Sequence, residues 1–188
     1  MIQMKEEIII AGFGGQGVMS MGQLLTFAGM KEGKEVSWLP SYGPEQRGGT
    51  ANVQVVISDG PFGSPVIDEP SVVIVLNDPS FEKFEPRVCP GGVLITNSDL
   101  VNQTSNRNDI KIIEVPATTV AITLSEERSA GMVILGALIG TTGILSRPSL
   151  LEALEDVLGK RKTHLIPVNE KAIRAGEDYA GQGKGILV

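Results

Sequence analysis

The clearest pattern along the chain is a set of short runs of consecutive apolar, mostly β-branched residues. The strongest runs occupy residues 7–11 and 72–76, and weaker ones follow at residues 92–96 and 110–115. Continuous runs of this kind are typical of strands that are covered on both faces in a parallel sheet. We therefore predict four buried strands, and a further strand at about residues 35–39.

Longer segments between these runs predict helices. They cover residues 16–32, 79–84, 117–124, 130–142, 148–159 and 167–179. Asp78 precedes Pro79, and Ser146 lies two residues before Pro148, so we predict that each caps a helix ahead of a first-turn proline. Alternating strands and helices indicate an α/β protein.

Residues 50–58 differ from the other strands, because apolar and polar residues alternate there, and the segment ends in Asp59-Gly60. This dipeptide is a hairpin signal, so we predict an antiparallel excursion after the second strand. The expected fold is a three-layer α/β/α, Rossmann-like domain with a mostly parallel, mixed sheet. At 188 residues, we expect residues 1–188 to form one domain with one core.

The segment at residues 130–142 is apolar on nearly every face, which predicts a helix buried at the centre of the structure. Gly136 and Gly140 flatten one side of this helix and allow another backbone to approach closely. Two interpretations are open. The helix packs internally against the sheet or another helix, or it forms a subunit interface.

Charge and cysteine content narrow the possible functions. The net charge is −6 and no basic stripe is present, which argues against a nucleic-acid-binding protein. A single cysteine cannot form an internal disulfide, so a reducing, cytoplasmic location is expected. The first ten residues do not resemble a secretion signal, and no apolar run has the length of a membrane span.

A glycine-rich segment follows the first predicted strand and opens the first predicted helix. It reads Gly12-Phe13-Gly14-Gly15-Gln16-Gly17 and fits G-x-G-x-x-G. Glycines permit positive φ and remove Cβ atoms, while the free N–H groups of a helix start attract an anion. The segment therefore predicts an anion site, with a tight turn that binds no ligand as the alternative.

A dinucleotide would also require an acid at the carboxyl end of the second strand, where it binds the ribose hydroxyls. Here that strand ends in Leu39-Pro40-Ser41, and Glu32 and Glu35 fall before it or at its start. A stand-alone, Rossmann-type dinucleotide-binding oxidoreductase is therefore the alternative function and not the preferred one.

A second informative segment covers residues 40–49, "PSYGPEQRGG". It is expected to leave the same sheet edge as the glycine turn, at the carboxyl ends of the strands where open α/β sheets bind ligands. Arg47 can bind a phosphate or carboxylate, or it can pair with Glu45 and hold the loop together. Asn77 and Asp78 are expected to face the same crevice.

These segments carry a family resemblance. The sequences "GFGGQGVMSMGQLL", "SYGPEQRGGTANVQVVISDGPFGSP", "VVIVLNDPSFEKF", "PGGVLITNSDL" and "MVILGALIG" occur in this order over most of the chain. Together they resemble the gamma subunit, or gamma domain, of the 2-oxoacid:ferredoxin oxidoreductases, most closely the 2-oxoglutarate type and less closely the pyruvate type. One departure is Gly131, where many members of that family carry asparagine.

The resemblance implies an oxidoreductase subunit that is inactive alone. Such complexes decarboxylate a 2-oxoacid oxidatively on thiamine diphosphate with Mg²⁺, pass electrons through iron-sulfur clusters to ferredoxin, and form an acyl-CoA. The implied partners are alpha and beta subunits, a ferredoxin-like delta subunit, and ferredoxin as the acceptor. Coenzyme A is the co-substrate of the complex.

The chain itself lacks the residues for those steps. An iron-sulfur cluster normally takes four cysteine thiolates, and Cys89 is the only cysteine. No G-D-G followed by N-N, the expected signature of thiamine diphosphate, is present. His164 is expected to lie on a solvated surface, and Cys89 in an ordinary loop. We therefore expect no catalytic residue and no metal site in this chain.

The resulting hypothesis is that the glycine turn and the loop form one surface that faces the thiamine-bearing subunits and contributes to the coenzyme A path. A pure scaffold with no ligand contact is a further alternative. The candidate cofactor-binding residues are Gly12, Gly14, Gly15, Gln16, Gly17, Ser41, Tyr42, Gly43, Glu45, Arg47, Gly48 and Gly49.

Overall fold

A computed structural model describes residues 4–43 and 49–181 of the chain. Within these residues, six strands form one sheet, namely β1 Lys5–Phe13, β2 Glu35–Tyr42, β3 Thr50–Ser58, β4 Val72–Val75, β5 Val93–Asn97 and β6 Lys111–Val115. The α-helices are α1 Val18–Lys31, α2 Asp78–Phe84, α3 Ala117–Thr123, α4 Ala130–Thr142, α5 Arg147–Leu158 and α6 Ile166–Ala180. Short 3₁₀ helices cover Glu85–Arg87, Glu127–Ser129 and Lys160–Leu165.

The sheet is mixed, with the strand order β2-β3-β1-β4-β5-β6. Strands β1, β4, β5 and β6 are parallel neighbours, whereas β3 runs antiparallel between β1 and β2. The predicted antiparallel excursion is therefore confirmed, and β3 has the predicted bounds. Because chain order reverses between β1 and β4, the carboxyl ends of these two strands border the crevice where open α/β sheets bind ligands.

The hairpin predicted at Asp59-Gly60 is wrong. A hairpin there would pair β3 with the next strand, β4, but β1 lies between these two strands in the sheet, and β4 pairs with β1 and β5. Asp59 instead holds the start of β1, because its N–H donates to the Met4 carbonyl oxygen at 2.9 Å and its Oδ2 accepts from the Met4 N–H at 2.9 Å. The antiparallel connection in this region joins β2 to β3.

One of the two predicted helix caps is confirmed. Ser146 caps α5, and its side chain accepts a hydrogen bond from the Ser149 N–H. The cap of α2 is Asn77 and not Asp78, because the Asn77 Oδ1 accepts from the Ser80 N–H at 2.8 Å. Asp78 lies in the first helical turn, where a carboxylate interacts favourably with the helix dipole.

Two apolar clusters lie on opposite faces of the sheet and confirm the three-layer fold. Side chains from α1, α4, α5 and α6 pack on one face, and side chains of α2 together with Val88 pack on the other. Along β1, Ile8 and Ile10 contact the first layer while Ile9 contacts the second. All three are fully buried, which explains why this strand is apolar at consecutive positions.

Helix α4 packs internally, as one of the two interpretations of its sequence requires. A Cβ atom added at Gly136 would lie 2.0 Å from the Ile173 carbonyl oxygen of α6, and one added at Gly176 would lie 1.9 Å from the Val133 carbonyl oxygen of α4. Gly140 faces Glu177 and Ala180 of α6 in the same way. The glycines therefore bring the backbones of α4 and α6 into contact.

Substitution of Gly176 tests this contact. We expect Gly176→Ala to lower the free energy of unfolding by about 3 kcal/mol, because the new methyl group can be accommodated only if α4 and α6 separate. Gly63→Ala is the matched control, since a Cβ there meets no atom within 4 Å. Equal stability of the two variants in denaturant unfolding would contradict the close packing of the helices.

A second prediction concerns Glu6 on β1. Burial raises the pKa of the Glu6 carboxyl, and a hydrogen bond from the Ser71 hydroxyl lowers this pKa to a smaller extent. Because the pKa of Glu6 is raised in the folded state, the protonated carboxyl contributes to stability at low pH, and this contribution is lost as the pH rises through the folded-state pKa. We expect Glu6→Gln to increase the unfolding free energy at pH 7 but not at pH 4. An equal effect at both values would contradict the raised pKa.

Candidate functional site

The glycine turn occupies the carboxyl edge of the sheet between β1 and α1. Gly15 and Gly17 adopt φ of 98° and 82°, values that favour glycine. Gly17 is the N-cap of α1, and no side chain caps this helix. The first N–H groups of α1 therefore have no side-chain acceptor, and a Cβ added at Gly15 or Gly17 would meet no atom within 4 Å. This arrangement leaves the helix start accessible to an anion.

Gln16 bridges the crevice between β1 and β4. Its Oε1 accepts from the Phe13 N–H at 2.6 Å, and its Nε2 donates to the Leu76 carbonyl oxygen at 3.0 Å. The Asn77 amide also donates to the same Oε1, at 3.4 Å. Gln16 was among the candidate cofactor-binding residues, but both ends of its amide contact the chain itself.

Gly12 makes room for this bridge. A Cβ atom there would lie 2.6 Å from the Gln16 Oε1 and 3.1 Å from the Leu76 Cβ. Gly12 is also buried, at the end of β1. The first glycine of the motif therefore serves an internal contact, whereas Gly15 and Gly17 face open space.

The described part of the second segment lies beside the glycine turn, as expected. The Gly14 N–H donates to the Gly49 carbonyl oxygen at 3.0 Å, and the Gly43 N–H donates to the Thr50 carbonyl oxygen at 2.7 Å. Tyr42, with 69% of its surface exposed, borders a cavity of about 270 Å³ together with Gly14, Gly15 and Gly17.

The remaining candidates of this segment have different positions. Ser41 is exposed on the edge strand β2, opposite Asn52 of β3. Glu45, Arg47 and Gly48 lie outside the described residues, so the choice between a ligand contact and an Arg47–Glu45 pair stays open.

A larger cavity of about 510 Å³ lies on the other side of the glycine turn. Gly15, Gln16 and Gly17 form part of its wall, and the opposite elements contribute the end of β4, the end of β5 and the start of α4. The lining residues that sequence reasoning did not assign to the site are Ser20, Met21, Leu76, Asn97, Leu100, Glu127, Arg128, Ala130, Gly131, Met132 and Ile134.

Asn97 was identifiable from its place at the carboxyl end of a predicted strand. It is only 3% exposed, and its Oδ1 accepts from the Ala117 N–H at 3.2 Å while its Nδ2 donates to the Thr118 hydroxyl at 3.1 Å. Asn97 thus joins the end of β5 to the start of α3. Arg128, in contrast, had no sequence signal, because only the packing of α4 brings its turn to the cavity.

Asp78 was expected to face the crevice at the glycine turn, but its carboxylate contacts another part of the chain. Its carboxylate accepts from the Asn102 N–H at 2.8 Å and from the Asn102 amide at 3.0 Å. These hydrogen bonds lower the pKa of Asp78 below its ordinary value. Asn77 does reach the crevice, through its contact with Gln16.

The geometry does not favour a dinucleotide. In a Rossmann dinucleotide site, the second strand lies beside the first and presents its acid to the ribose. Here β3 separates β2 from β1, and the Gln16 amide occupies the gap between β1 and β4. Among the described residues, no group of three or more His, Cys, Asp or Glu side chains could hold a metal ion. The described helices also include none with the length and apolar character needed to cross a membrane.

Comparisons with known proteins extend these observations. Residues 7–179 match the family model described as pyruvate ferredoxin/flavodoxin oxidoreductase. The chain is 41% identical over 174 residues to the ketoisovalerate oxidoreductase subunit VorA of Methanothermobacter thermautotrophicus, covering 91% of this chain and 35% of that protein. It thus spans about a third of VorA. The 2-oxoglutarate synthase subunit KorC of Methanocaldococcus jannaschii is 35% identical over 165 residues, with 85% of this chain and 87% of that protein covered.

Solved structures show the same architecture. The gamma subunit of a keto/oxoacid ferredoxin oxidoreductase from Geobacter sulfurreducens is similar with a TM-score of 0.79 and 28% identity, over 94% of this chain and 99% of that chain. The 2-oxoglutarate:ferredoxin oxidoreductase from Magnetococcus marinus, solved with 2-oxoglutarate, coenzyme A and succinyl-CoA bound, is similar with a TM-score of 0.83 and 26% identity, over 95% of this chain and 31% of that chain.

The Gln16 bridge yields a testable prediction. Gln16→Glu keeps an acceptor for the Phe13 N–H, but at neutral pH the carboxylate cannot donate to the Leu76 carbonyl oxygen. We expect a loss of about 2 kcal/mol in the free energy of unfolding, because a buried acceptor is left unpaired beside a charge. The loss should shrink at acidic pH, where the protonated carboxyl can donate.

Gln23→Glu is the matched control, since Gln23 is exposed on α1. Both variants should be compared by denaturant unfolding across pH. If Gln16→Glu were as stable as Gln23→Glu at neutral pH, the Gln16 amide would not be joining β1 to β4.

Proposed function

Because the chain belongs to the pyruvate ferredoxin/flavodoxin oxidoreductase family, we propose that it works as the gamma subunit of a 2-oxoacid:ferredoxin oxidoreductase. The family resemblance expected from the sequence is confirmed. The proposed complex decarboxylates 2-oxoglutarate or a related 2-oxoacid oxidatively and forms the acyl-CoA. Relatives named for 2-oxoglutarate and for ketoisovalerate both occur, so the family supports the reaction class more strongly than one substrate.

The proposed division of labour assigns the redox chemistry to other chains. Thiamine diphosphate with Mg²⁺ supplies the decarboxylation chemistry in partner subunits, and iron-sulfur clusters there carry electrons to ferredoxin. This chain has a single cysteine and so cannot provide the four thiolates of a cluster. The partners we propose are alpha and beta subunits and a ferredoxin-like delta subunit, in the cytoplasm.

Coenzyme A is the ligand that the glycine turn suits best. Its diphosphate is an anion of the type that binds at an uncapped helix start, and Gly15 and Gly17 leave open space in front of α1. The Magnetococcus marinus enzyme, to which this chain is similar, was solved with coenzyme A and succinyl-CoA bound. The uncapped start of α1 beside the large cavity is the observation that carries this proposal.

The neighbouring edge of the sheet suits a contact with the thiamine-bearing subunits. Strand β2 pairs only with β3 in the described structure, so its outer edge is unpaired. Three large side chains on this strand are exposed, with Trp38 at 40%, Leu39 at 37% and Tyr42 at 69%. Exposed apolar side chains on an edge strand are typical of a surface that a partner covers. We propose that this edge and the glycine turn form one interface.

The two alternative functions, a stand-alone dinucleotide enzyme and a pure scaffold, require different properties of this site. A stand-alone dinucleotide enzyme needs an open crevice between β1 and β4, which the Gln16 amide closes. If the chain is a pure scaffold, a charge added at the glycine turn should not change how the complex uses coenzyme A. The experiment below therefore separates the scaffold from a subunit that contacts coenzyme A.

We expect Gly17→Asp to raise the KM for coenzyme A about tenfold relative to Gly17→Asn in the reconstituted complex. Asparagine and aspartate have the same shape and both tolerate the left-handed backbone of Gly17, so the pair isolates the added negative charge beside the helix start. The measurement is 2-oxoacid-dependent reduction of ferredoxin at varied concentrations of coenzyme A.

Subunit assembly of both variants should be checked by size-exclusion chromatography. Equal KM values for the two assembled variants would exclude a coenzyme A phosphate from the start of α1. A complex whose activity is independent of coenzyme A would contradict the proposed reaction itself.

A further inference from the structure

Arg128 lies at the wall of the large cavity and carries a guanidinium with no acidic partner among the described residues. It borders the cavity together with Gly17 of the glycine turn and is exposed to solvent. None of the ion pairs in the described part of the chain includes Arg128. The hydrogen bond that involves this residue uses its backbone N–H, which donates to the Glu126 Oε1 at 3.3 Å. The guanidinium is thus free to bind an anion in two-pronged fashion.

The turn that carries Arg128 is held in place by internal contacts. Ser125 has a φ of 62°, which is unusual for a residue other than glycine and costs about 1 kcal/mol or more. The Glu126 N–H donates to the Ala121 carbonyl oxygen at 3.1 Å, and the Ser129 hydroxyl donates to the Glu126 carbonyl oxygen at 2.7 Å. Ser129 is fully buried. The backbone of Arg128 is therefore preorganised before any ligand arrives.

The cavity between Arg128 and the glycine turn has a largely apolar lining. Five side chains contribute to it from α1, from the ends of β4 and β5, and from α4, namely Met21, Leu76, Leu100, Met132 and Ile134. Gly131 adds no side chain, and a Cβ there would lie 3.3 Å from the Met21 sulfur. A flat, weakly polar group such as a purine ring suits a lining of this kind.

We propose that Arg128 recognises a phosphate monoester on the same ligand whose diphosphate binds at the start of α1. This inference rests on the proposed function, in which the ligand is coenzyme A. In that molecule one ribose carries the adenine and two separate anions, the 5′-diphosphate and the 3′-phosphate. The cavity offers an apolar lining beside two groups that attract anions, the helix start and Arg128. Arg128 therefore confers specificity for coenzyme A over dephospho-coenzyme A.

Glu127 provides an internal check on this assignment. Glu127 also borders the cavity, and none of the ion pairs among the described residues includes its carboxylate. A carboxylate close to a bound phosphate weakens binding, whereas a guanidinium strengthens it. Neutral substitutions at the two neighbouring positions should therefore have effects of opposite sign on the same ligand.

The experiment compares the complex containing the unaltered chain with complexes containing Arg128→Gln, Glu127→Gln or Arg174→Gln. Arg174 is the charge-matched control, because it pairs with Glu170 on the surface of α6. For each complex, KM and kcat are measured with coenzyme A and with dephospho-coenzyme A. Binding of adenosine 3′,5′-bisphosphate and of adenosine 5′-phosphate to the full chain is measured by calorimetry as a readout independent of turnover.

We expect Arg128→Gln to raise the KM for coenzyme A about 10- to 100-fold and to leave the KM for dephospho-coenzyme A nearly unchanged. Glu127→Gln should lower the KM for coenzyme A, and Arg174→Gln should change neither value. Adenosine 3′,5′-bisphosphate should bind more tightly than adenosine 5′-phosphate to every variant except Arg128→Gln, in which the two affinities should be similar.

Equal effects of Arg128→Gln on both coenzymes, or no effect on either, would overturn the inference. If the Gly17→Asp variant still impaired coenzyme A use in that case, the proposed function would stand and only the role of Arg128 would fall. Loss of both effects would overturn the proposed coenzyme A site as well.

Discussion

The Gln16 side chain is the contact on which the arrangement of the site depends. Its amide accepts from the end of β1 and donates to the end of β4, so it closes the gap at which chain order reverses in the sheet. Gly12 lacks a Cβ because the Gln16 oxygen occupies that space. With this gap closed, the glycines of the turn that face open space include Gly15 and Gly17, at the start of α1.

The antiparallel strand β3 determines what the rest of that edge presents. By pairing with β1 it takes the position that a Rossmann fold reserves for its second parallel strand, and it moves β2 to the rim of the sheet. The ribose-binding acid thus has no equivalent position beside β1. At the same time the rim exposes Trp38, Leu39 and Tyr42, and Tyr42 borders a cavity with the glycine turn. One change of strand order therefore removes the position of a ribose-binding acid and leaves the exposed edge that we propose a neighbouring subunit covers.

Close packing of α4 against α6 supplies the rigid wall opposite the glycine turn. Gly136 and Gly176 let the two backbones touch, and α4 begins directly after the hydrogen-bonded turn that carries Arg128. Helices in such contact cannot shift independently, because packed interiors have little free volume. The turn that carries Arg128 and the start of α1 border the same cavity, which suits the ligand with two anionic groups that we propose.

The sequence by itself determined most of the elements, the mixed α/β fold and the place of the glycine turn between the first strand and the first helix, because apolar periodicity, alternation and glycine placement act locally. It also predicted a buried α4 with glycines for a close approach. The tertiary structure alone decided which side chains meet: that the Gln16 amide reaches Leu76, that Asn77 rather than Asp78 caps α2, and that Arg128 borders the cavity. Gln16 and Leu76 are 60 positions apart in the chain, and Arg128 is far in sequence from the glycine turn. The choice of Asn77 as the cap depends on its extended backbone. Local sequence patterns carry no information on such contacts or on a single backbone conformation.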